Sequence, residues 1–203
     1  MLNSPGVWLL AAALAPLLGL ALLLWRQFSL EAPQVPLAEV PPSCPGLCFL
    51  SHRAHRRFPF QHLFIRITPQ DPAWPARRPD LFSRRDAAGR PYCTLGAGPK
   101  DGNLFLEFNR GFDLRDPASF TEAIPCRDLA EENARIASLL ASHAAYGQAL
   151  PFAACSRVSG PGYNCNSMMR SLADRAGVPT PAFARHMLLC PGTGRPLPPT
   201  AFS

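Results

Sequence analysis

The sequence has a single lysine, Lys100, although its formal net charge is +6. The positive charge therefore comes almost entirely from arginines, which are scattered among Ala, Pro and Leu. Proteins that bind nucleic acid concentrate Lys and Arg on one face, often with aromatic residues between them. No such cluster occurs in this sequence, so we expect no nucleic-acid partner.

No Lys or Arg precedes the apolar run at residues 7–25, and no A-x-A site follows it. A cleavable signal peptide has both features. The run is uncharged and long enough to cross about 30 Å of hydrocarbon as a helix. Trp8 and Trp25 lie at its two ends, as interfacial aromatic residues do. We therefore expect residues 1–30 to form an N-terminal membrane anchor or an uncleaved signal.

Cysteine, by contrast, is plentiful for a chain of this length. Three disulfides and one free thiol would suit an exported domain, and Cys44 and Cys48 are spaced to close across a Pro-Gly-Leu turn. The alternative is a reduced domain with several buried cysteines. Our expectation is a single-pass protein of the inner (cytoplasmic) membrane with an extracytoplasmic domain. The seven cysteines are Cys44, Cys48, Cys93, Cys126, Cys155, Cys165 and Cys190.

Proline marks the start of the folded part. Residues 31–46 contain five prolines and no hydrophobic periodicity, which indicates a stiff, extended spacer. We expect one domain at residues 47–203. Its first segment, residues 51–60, has two histidines and several arginines and is predicted to be a solvated basic turn. No ligands nearby complete a zinc set with these histidines, so we expect no metal.

Three segments have the pattern of strands. Residues 62–69 place Leu63, Ile65 and Ile67 at every second position, which is the period of a strand. Residues 90–95 and 103–109 are predicted to be two more strands, joined by a Gly- and Pro-containing turn at 96–102. The sequence thus predicts an antiparallel sheet of three to five strands.

Two segments have the pattern of helices. One follows Asp128 and Glu131, which are spaced as an N-terminal cap, and it ends near Gly147. The other has Cys165 in its first turn and apolar residues on one face before Gly177 ends it. The predicted fold class is therefore α+β, an antiparallel sheet packed against helices and preceded by one transmembrane helix.

Cys165 lies in the first turn of the second helix, within the sequence SGPGYNCNS. Unpaired N–H groups and the helix dipole at this end favour the thiolate, the nucleophilic form of cysteine. A nucleophilic cysteine needs an imidazole close by, and His62 is the best candidate, ahead of His143 and His186. The alternative is that Cys165 is a buried core residue or a disulfide partner.

Asn164 and Asn166 flank the cysteine at the helix start. Backbone N–H groups of this turn are candidate oxyanion donors. Asn also commonly caps helices, so a purely structural role for both residues stays open.

The segments HLFIRI and NCNSMMRSLADRAG, with TLGAGP, resemble the circularly permuted branch of the papain-like NlpC/P60 superfamily. In that branch the histidine precedes the cysteine in the chain. The resemblance implies a permuted papain-like fold with Cys165 as the nucleophile and His62 as the base. It also implies a third polar group on a neighbouring strand, for which Thr94, Asn103, Glu107 and Asn109 are eligible; we assign Asn103.

The function implied by this resemblance is that of a membrane-anchored cysteine hydrolase, an amidase or peptidase that acts on peptidoglycan stem peptides and needs no metal or organic cofactor. A lipid acyltransferase or thioesterase of the same fold is the first alternative. An inactive envelope protein that binds a partner is the second. The expected partners are the membrane, through the N-terminal helix, and a peptide or acyl substrate.

Overall fold

The computed structural model describes residues 45–55, 58–114, 118–147, 150–154, 161–185 and 190–203. The anchor expected at residues 1–30 and nearly all of the spacer lie outside these ranges. Within them, no helix combines the length and the apolar character needed to cross a membrane.

The described residues form a six-stranded sheet in which every pair of neighbouring strands is antiparallel. The strand order is β3-β4-β2-β1-β6, and β5 pairs with β4. Long strands β1 and β2 occupy the middle because their apolar residues are covered on both faces. The strands are β1 (Gly46–His55), β2 (Phe58–Thr68), β3 (Arg84–Arg85), β4 (Pro91–Lys100), β5 (Asn103–Phe108) and β6 (Phe120–Ile124).

Strands β2 and β4 pair along only part of their lengths. The paired positions run from Phe64 opposite Gly96 to Ile67 opposite Cys93. Beyond Gly96, β4 continues alongside β5 as far as Lys100. The backbone of β2 at residues 61–63 is therefore left without β4 as a neighbour, and the sheet opens at this point.

Three α-helices lie in the described part: α1 (Ala73–Arg77), α2 (Leu129–Ala145) and α3 (Cys165–Arg175). Short 3₁₀ turns occupy Ala182–Arg185 and Pro199–Phe202. Asp128 caps α2, as predicted, by accepting the Glu131 N–H at 2.7 Å. The apolar face of α3 joins Met168, Met169 and Leu172 to the core side of β2. The α+β class and the antiparallel sheet are confirmed, but the sheet has six strands where three to five were predicted.

Two local predictions are wrong. The turn predicted at 96–102 is shorter, because Gly96–Lys100 continues β4 and only Asp101 and Gly102 make the turn, both with positive φ. The basic turn predicted at 51–60 is instead the end of β1 and the start of β2. Ser51 and His52 have no exposed surface, because His52 packs against aromatic rings rather than facing water.

The disulfide expectation also fails within the described part of the chain. Cys93, Cys126, Cys165 and Cys190 are free thiols there. Three disulfides would require six of the seven cysteines, and these four free thiols leave only three; the expected pairing of Cys44 with Cys48 involves Cys44, which lies outside the described residues. The described cysteines fit the alternative of a reduced domain, since three of them are buried.

Candidate active site

The N-terminus of α3 meets β2 where the sheet opens, and a cleft of about 540 Å³ lies at this junction. Cys165 and His62 both line it. Its walls are mostly apolar, and Arg110 is the one permanently charged side chain among the described residues that line it. The apolar part of the wall consists of Ala54, Phe60, Ala97, Gly98, Pro99, Phe112, Phe152, Ala154 and Pro191.

The start of α3 is fixed by Asn164. Its Oδ1 accepts the N–H groups of Asn166 and Ser167, both at 3.1 Å. These two first-turn N–H groups are therefore engaged in the cap and are not oxyanion donors, which corrects that part of the prediction. Among the described residues, the Cys165 N–H is the first-turn donor left available.

The structure brings His62 to Cys165, as the sequence predicted. His62 is 3 % exposed, and its Nε2 lies 2.7 Å from Oδ1 of Asp113, a carboxylate with no exposed surface. Nε2–H donates to this carboxylate, so Nδ1 is the ring nitrogen left for the interaction between His62 and Cys165. A carboxylate, an imidazole and a thiol thus follow one another at the wall of the cleft.

The charges of this cluster determine the protonation of His62. Burial lowers the pKa of the imidazole. The negative charge of the Cys165 thiolate and hydrogen bonds with Asp113 and Cys165 outweigh burial, and the pKa rises from 6.5 to about 9. At neutral pH His62 is therefore an imidazolium that is hydrogen-bonded to Asp113 and interacts with Cys165.

Asp113 can reach His62 because β4 has glycines at the positions next to the Asp113 and Arg110 side chains. A Cβ on Gly96 would lie 2.0 Å from Oδ2 of Asp113, and one on Gly98 would lie 2.2 Å from a guanidinium nitrogen of Arg110. Arg110 donates from Nη1 to the Ala97 carbonyl at 2.7 Å, and this nitrogen lies 3.9 Å from Asp113. The two glycines thus make a seat for the segment that carries both side chains.

Asn103 is not the third group of the site. It lies at the start of β5, pairs with Lys100 and forms a bridge with Pro151, and it does not line the cleft. Asn109 and Glu107 have different partners, since Asn109 binds the Thr94 N–H and Glu107 lies 3.5 Å from Arg110. Thr94 does not line the cleft. Asp113 takes this position instead.

Asp113 was missed because it lies in the turn after β5 and not on a strand. The signal that points to it is the pair Gly96 and Gly98. Two glycines on the same face of one strand leave a space that another segment must fill. The turn at residues 111–114, which follows β5, carries the carboxylate that fills this space.

Asn166 connects α3 to β2. Its Oδ1 accepts the Leu63 N–H at 3.0 Å, and its Nδ2 donates to the Gln61 carbonyl at 3.0 Å and to the Pro191 carbonyl at 3.1 Å. The thiol of Cys165 also contacts Oδ1, at 3.5 Å. The carboxamide is buried, with 1 % of the residue exposed.

Of the other histidines, none described here takes the place of His62 beside Cys165. His143 packs its ring on Phe108, with ring centroids 4.6 Å apart, and does not line the cleft. His186 lies outside the described residues. His52, opposite His62 in the sheet, packs its ring against that of His62 in a tilted arrangement, with 5.1 Å between ring centroids.

His52, His62 and Asp113 also present ligand atoms within 4.8 Å of one another. Two imidazoles and a carboxylate are a ligand set that zinc accepts. In the structure, however, His62 and Asp113 are bonded directly to each other. The absence of a metal requirement stays a prediction.

Fold and site together define an α+β protein with a cysteine and a histidine at the wall of an apolar cleft and a buried aspartate bonded to the histidine. A scan against protein-family models found no match, and neither did searches of the curated proteins and of the solved structures.

Proposed function

We propose that this protein is a cysteine hydrolase that cleaves amide bonds. The single observation that carries the proposal is the 2.7 Å bond between His62 Nε2 and the buried Asp113 carboxylate, in an imidazole that also interacts with Cys165 at the cleft. A thiolate, an imidazolium and an orienting carboxylate are the parts of a cysteine nucleophile.

The reaction follows from these roles. The thiolate of Cys165 attacks the carbonyl carbon and forms a tetrahedral intermediate, whose oxyanion accepts a hydrogen bond from the Cys165 N–H. His62 then donates its proton to the leaving amine, the C–N bond breaks, and an acyl thioester remains on Cys165. A water molecule gives a proton to His62 and attacks the thioester, which releases the carboxylic acid and restores the thiolate.

The substrate class comes from the resemblance to the permuted NlpC/P60 branch of papain-like proteins. It implies peptidoglycan stem peptides as substrates and a permuted papain-like fold. The apolar run at residues 7–25 would hold the domain at the inner membrane, facing the envelope. These parts of the proposal rest on sequence patterns alone.

A second candidate keeps the residues and changes the substrate to an ester or thioester of an apolar acyl group. The observation that favours it is the lining of the cleft, which is mostly alanine, proline and phenylalanine. Stem peptides are polar along their length, and an apolar wall offers them few hydrogen-bonding partners. An acyl chain gains from burial against such a wall.

The test uses iodoacetamide alkylation of the full-length chain between pH 5 and 8, mapped by mass spectrometry. We expect Cys165 to react first, and His62→Ala to slow it about a hundredfold at pH 6, because an ordinary thiol is mostly protonated there. His143→Ala is the matched control and leaves the rate unchanged. Equal rates in the wild type and in His62→Ala would refute the nucleophile.

Turnover then separates the two substrate classes. The wild-type chain and Cys165→Ala are incubated with purified stem peptides and, separately, with an octanoyl thioester. Cys165-dependent release of an amine supports the amidase, and Cys165-dependent release of the thiol supports the acyl-group alternative. If Cys165 is reactive but the protein turns over neither substrate, the result favours the alternative of an inactive protein that binds a partner in this cleft.

A further inference from the structure

The carboxamide of Asn166 occupies the place of a missing strand. In a parallel ladder, one residue binds the carbonyl before and the N–H after the residue opposite it. Asn166 makes these two bonds with its side chain, to the Gln61 carbonyl and the Leu63 N–H, so that it straddles His62. It does so where β4 no longer pairs with β2.

The same side chain has one further anchor. Its Nδ2 also donates to the Pro191 carbonyl, which additionally accepts a bond from Asn164 at 2.8 Å. Asn166 directly follows Cys165 in the chain, and Asn164 precedes it. The peptide that carries the nucleophile is thus tied to the strand that carries the imidazole.

We propose that Asn166 is a positioning residue that sets the separation of the Cys165 thiol and the His62 imidazole. It acts through the backbone on either side of His62. A helix that ended against the sheet by apolar contacts alone would slide by fractions of an ångström, whereas two opposed hydrogen bonds fix the register. The inference rests on the proposed function only in requiring that Cys165 and His62 act as a pair.

The direct contact between Asn166 and the thiol would have the opposite effect on the reactivity of Cys165. The Cys165 S–H donates to Oδ1 at 3.5 Å, and this bond exists only in the protonated thiol. If that contact were the important one, removal of Asn166 would favour the thiolate and speed alkylation at low pH. If positioning is the important role, removal slows alkylation, because the thiolate loses its imidazolium.

The experiment measures the alkylation of Cys165 in the full-length chain from pH 5 to 9 and titrates His62 by NMR. In Asn166→Ala, we expect the rate at pH 6 to fall about tenfold, which corresponds to one unit of lost pKa coupling. The pKa of His62 should move from about 9 toward 6.5. Combination with His62→Ala should then give no further loss, because both changes break the same pair.

Ser167→Ala is the matched control. Ser167 lies in the same turn, is buried, and donates to the Gly192 carbonyl at 3.0 Å; its side-chain hydrogen bonds go to Gly192 and Asn164 and not to β2. It should lower the thermal midpoint without a change in the alkylation profile. Asn166→Ser, which is small and neutral, is the second variant if Asn166→Ala does not fold, and the same direction is expected.

The outcomes separate this inference from the proposed function. If alkylation of the wild type does not depend on His62, both are overturned. If it depends on His62 but is unchanged or faster in the Asn166 variants, the positioning role alone is overturned. Slower alkylation, a lower His62 pKa and an unaltered Ser167→Ala profile together support it.

Discussion

The two ends of strand β2 are built differently. From Phe64 to Ile67, β2 is held by β4 through an ordinary ladder, and Ile65 and Ile67 are sealed in the core. From Gln61 to Leu63, the backbone is held instead by the side chain of Asn166. The first end is continuous structure, and the second borders the cleft that contains Cys165.

This difference shows what an interrupted ladder allows. Where strands pair, each backbone group is satisfied by another backbone group, and no helix terminus can enter between them. Where β4 leaves β2, the helix N-terminus enters and places a thiol beside a strand histidine. We therefore expect changes at the open end to alter chemistry, and changes at the paired end to alter only stability.

The largest effect is expected from Asp113→Asn. The amide would donate to Nε2 of His62 and place the imidazole proton on Nδ1, so that the neutral ring could not accept a proton from Cys165. We expect Cys165-dependent hydrolysis to fall about a hundredfold or more, whereas the thermal midpoint changes little because the two side chains have the same shape. Activity within a few-fold of the wild type would remove Asp113 from the mechanism.

The pH dependence follows from the same residue pair. The pKa of folded His62, about 9, exceeds its ordinary value of 6.5, so the folded state binds the proton more tightly. The resulting stabilisation is complete below pH 6.5 and is lost as the pH rises through about 9. Thermal unfolding from pH 6 to 10 should show a falling midpoint.

Cys165→Ala supplies the comparison for this titration. Without the thiolate, burial weighs more heavily against the charged imidazole, so that NMR should show a lower pKa for His62. The fall of the midpoint between pH 7 and 10 should shrink accordingly. An unchanged His62 titration would show that Cys165 and His62 are not electrostatically coupled.

The paired end of β2 was predictable from the sequence. At the open end, His62 and Cys165 were predictable, but Asp113 was not. Alternation at Leu63, Ile65 and Ile67 identified the strand because one face of it is core. The N-terminus of α3 was visible because Asn164 is a capping residue and apolar residues follow at helical spacing. Both are local signals, so they placed His62 and Cys165 on the right elements.

The third residue could not be found from local signals. Asp113 lies in a turn, and its place depends on a seat formed by Gly96 and Gly98 on a different segment. The same glycines made residues 96–102 look like a turn, although the strand continues through them. His52 was taken for a solvated residue because its burial depends on Phe112 and His62, which are distant in sequence.

A smaller effect is expected from Gly96→Ala, which fills this seat. The new Cβ would lie 2.0 Å from Asp113 Oδ2, so the carboxylate must move away from His62. Overpacking of this kind costs about 1–3 kcal/mol, and hydrolysis should fall about tenfold as the imidazole loses its orientation. Gly111→Ala is the control, because nothing lies within 4 Å of its Cβ position. If both variants behaved alike, the seat would have no functional importance.

The smallest chemical effect is expected at the paired end, from Ile65→Val. Ile65 is 1 % exposed and belongs to the main core cluster, so loss of one methylene group should destabilise the fold by about 0.5–1.5 kcal/mol. It lies opposite Leu95 within the β2–β4 ladder, where the hydrogen bonds do not depend on the side chain. The alkylation rate of Cys165 and its pH profile should therefore match those of the wild type. A shifted profile would mean that the two ends of β2 are coupled through the core, and that the open end is not independent of the ladder beside it.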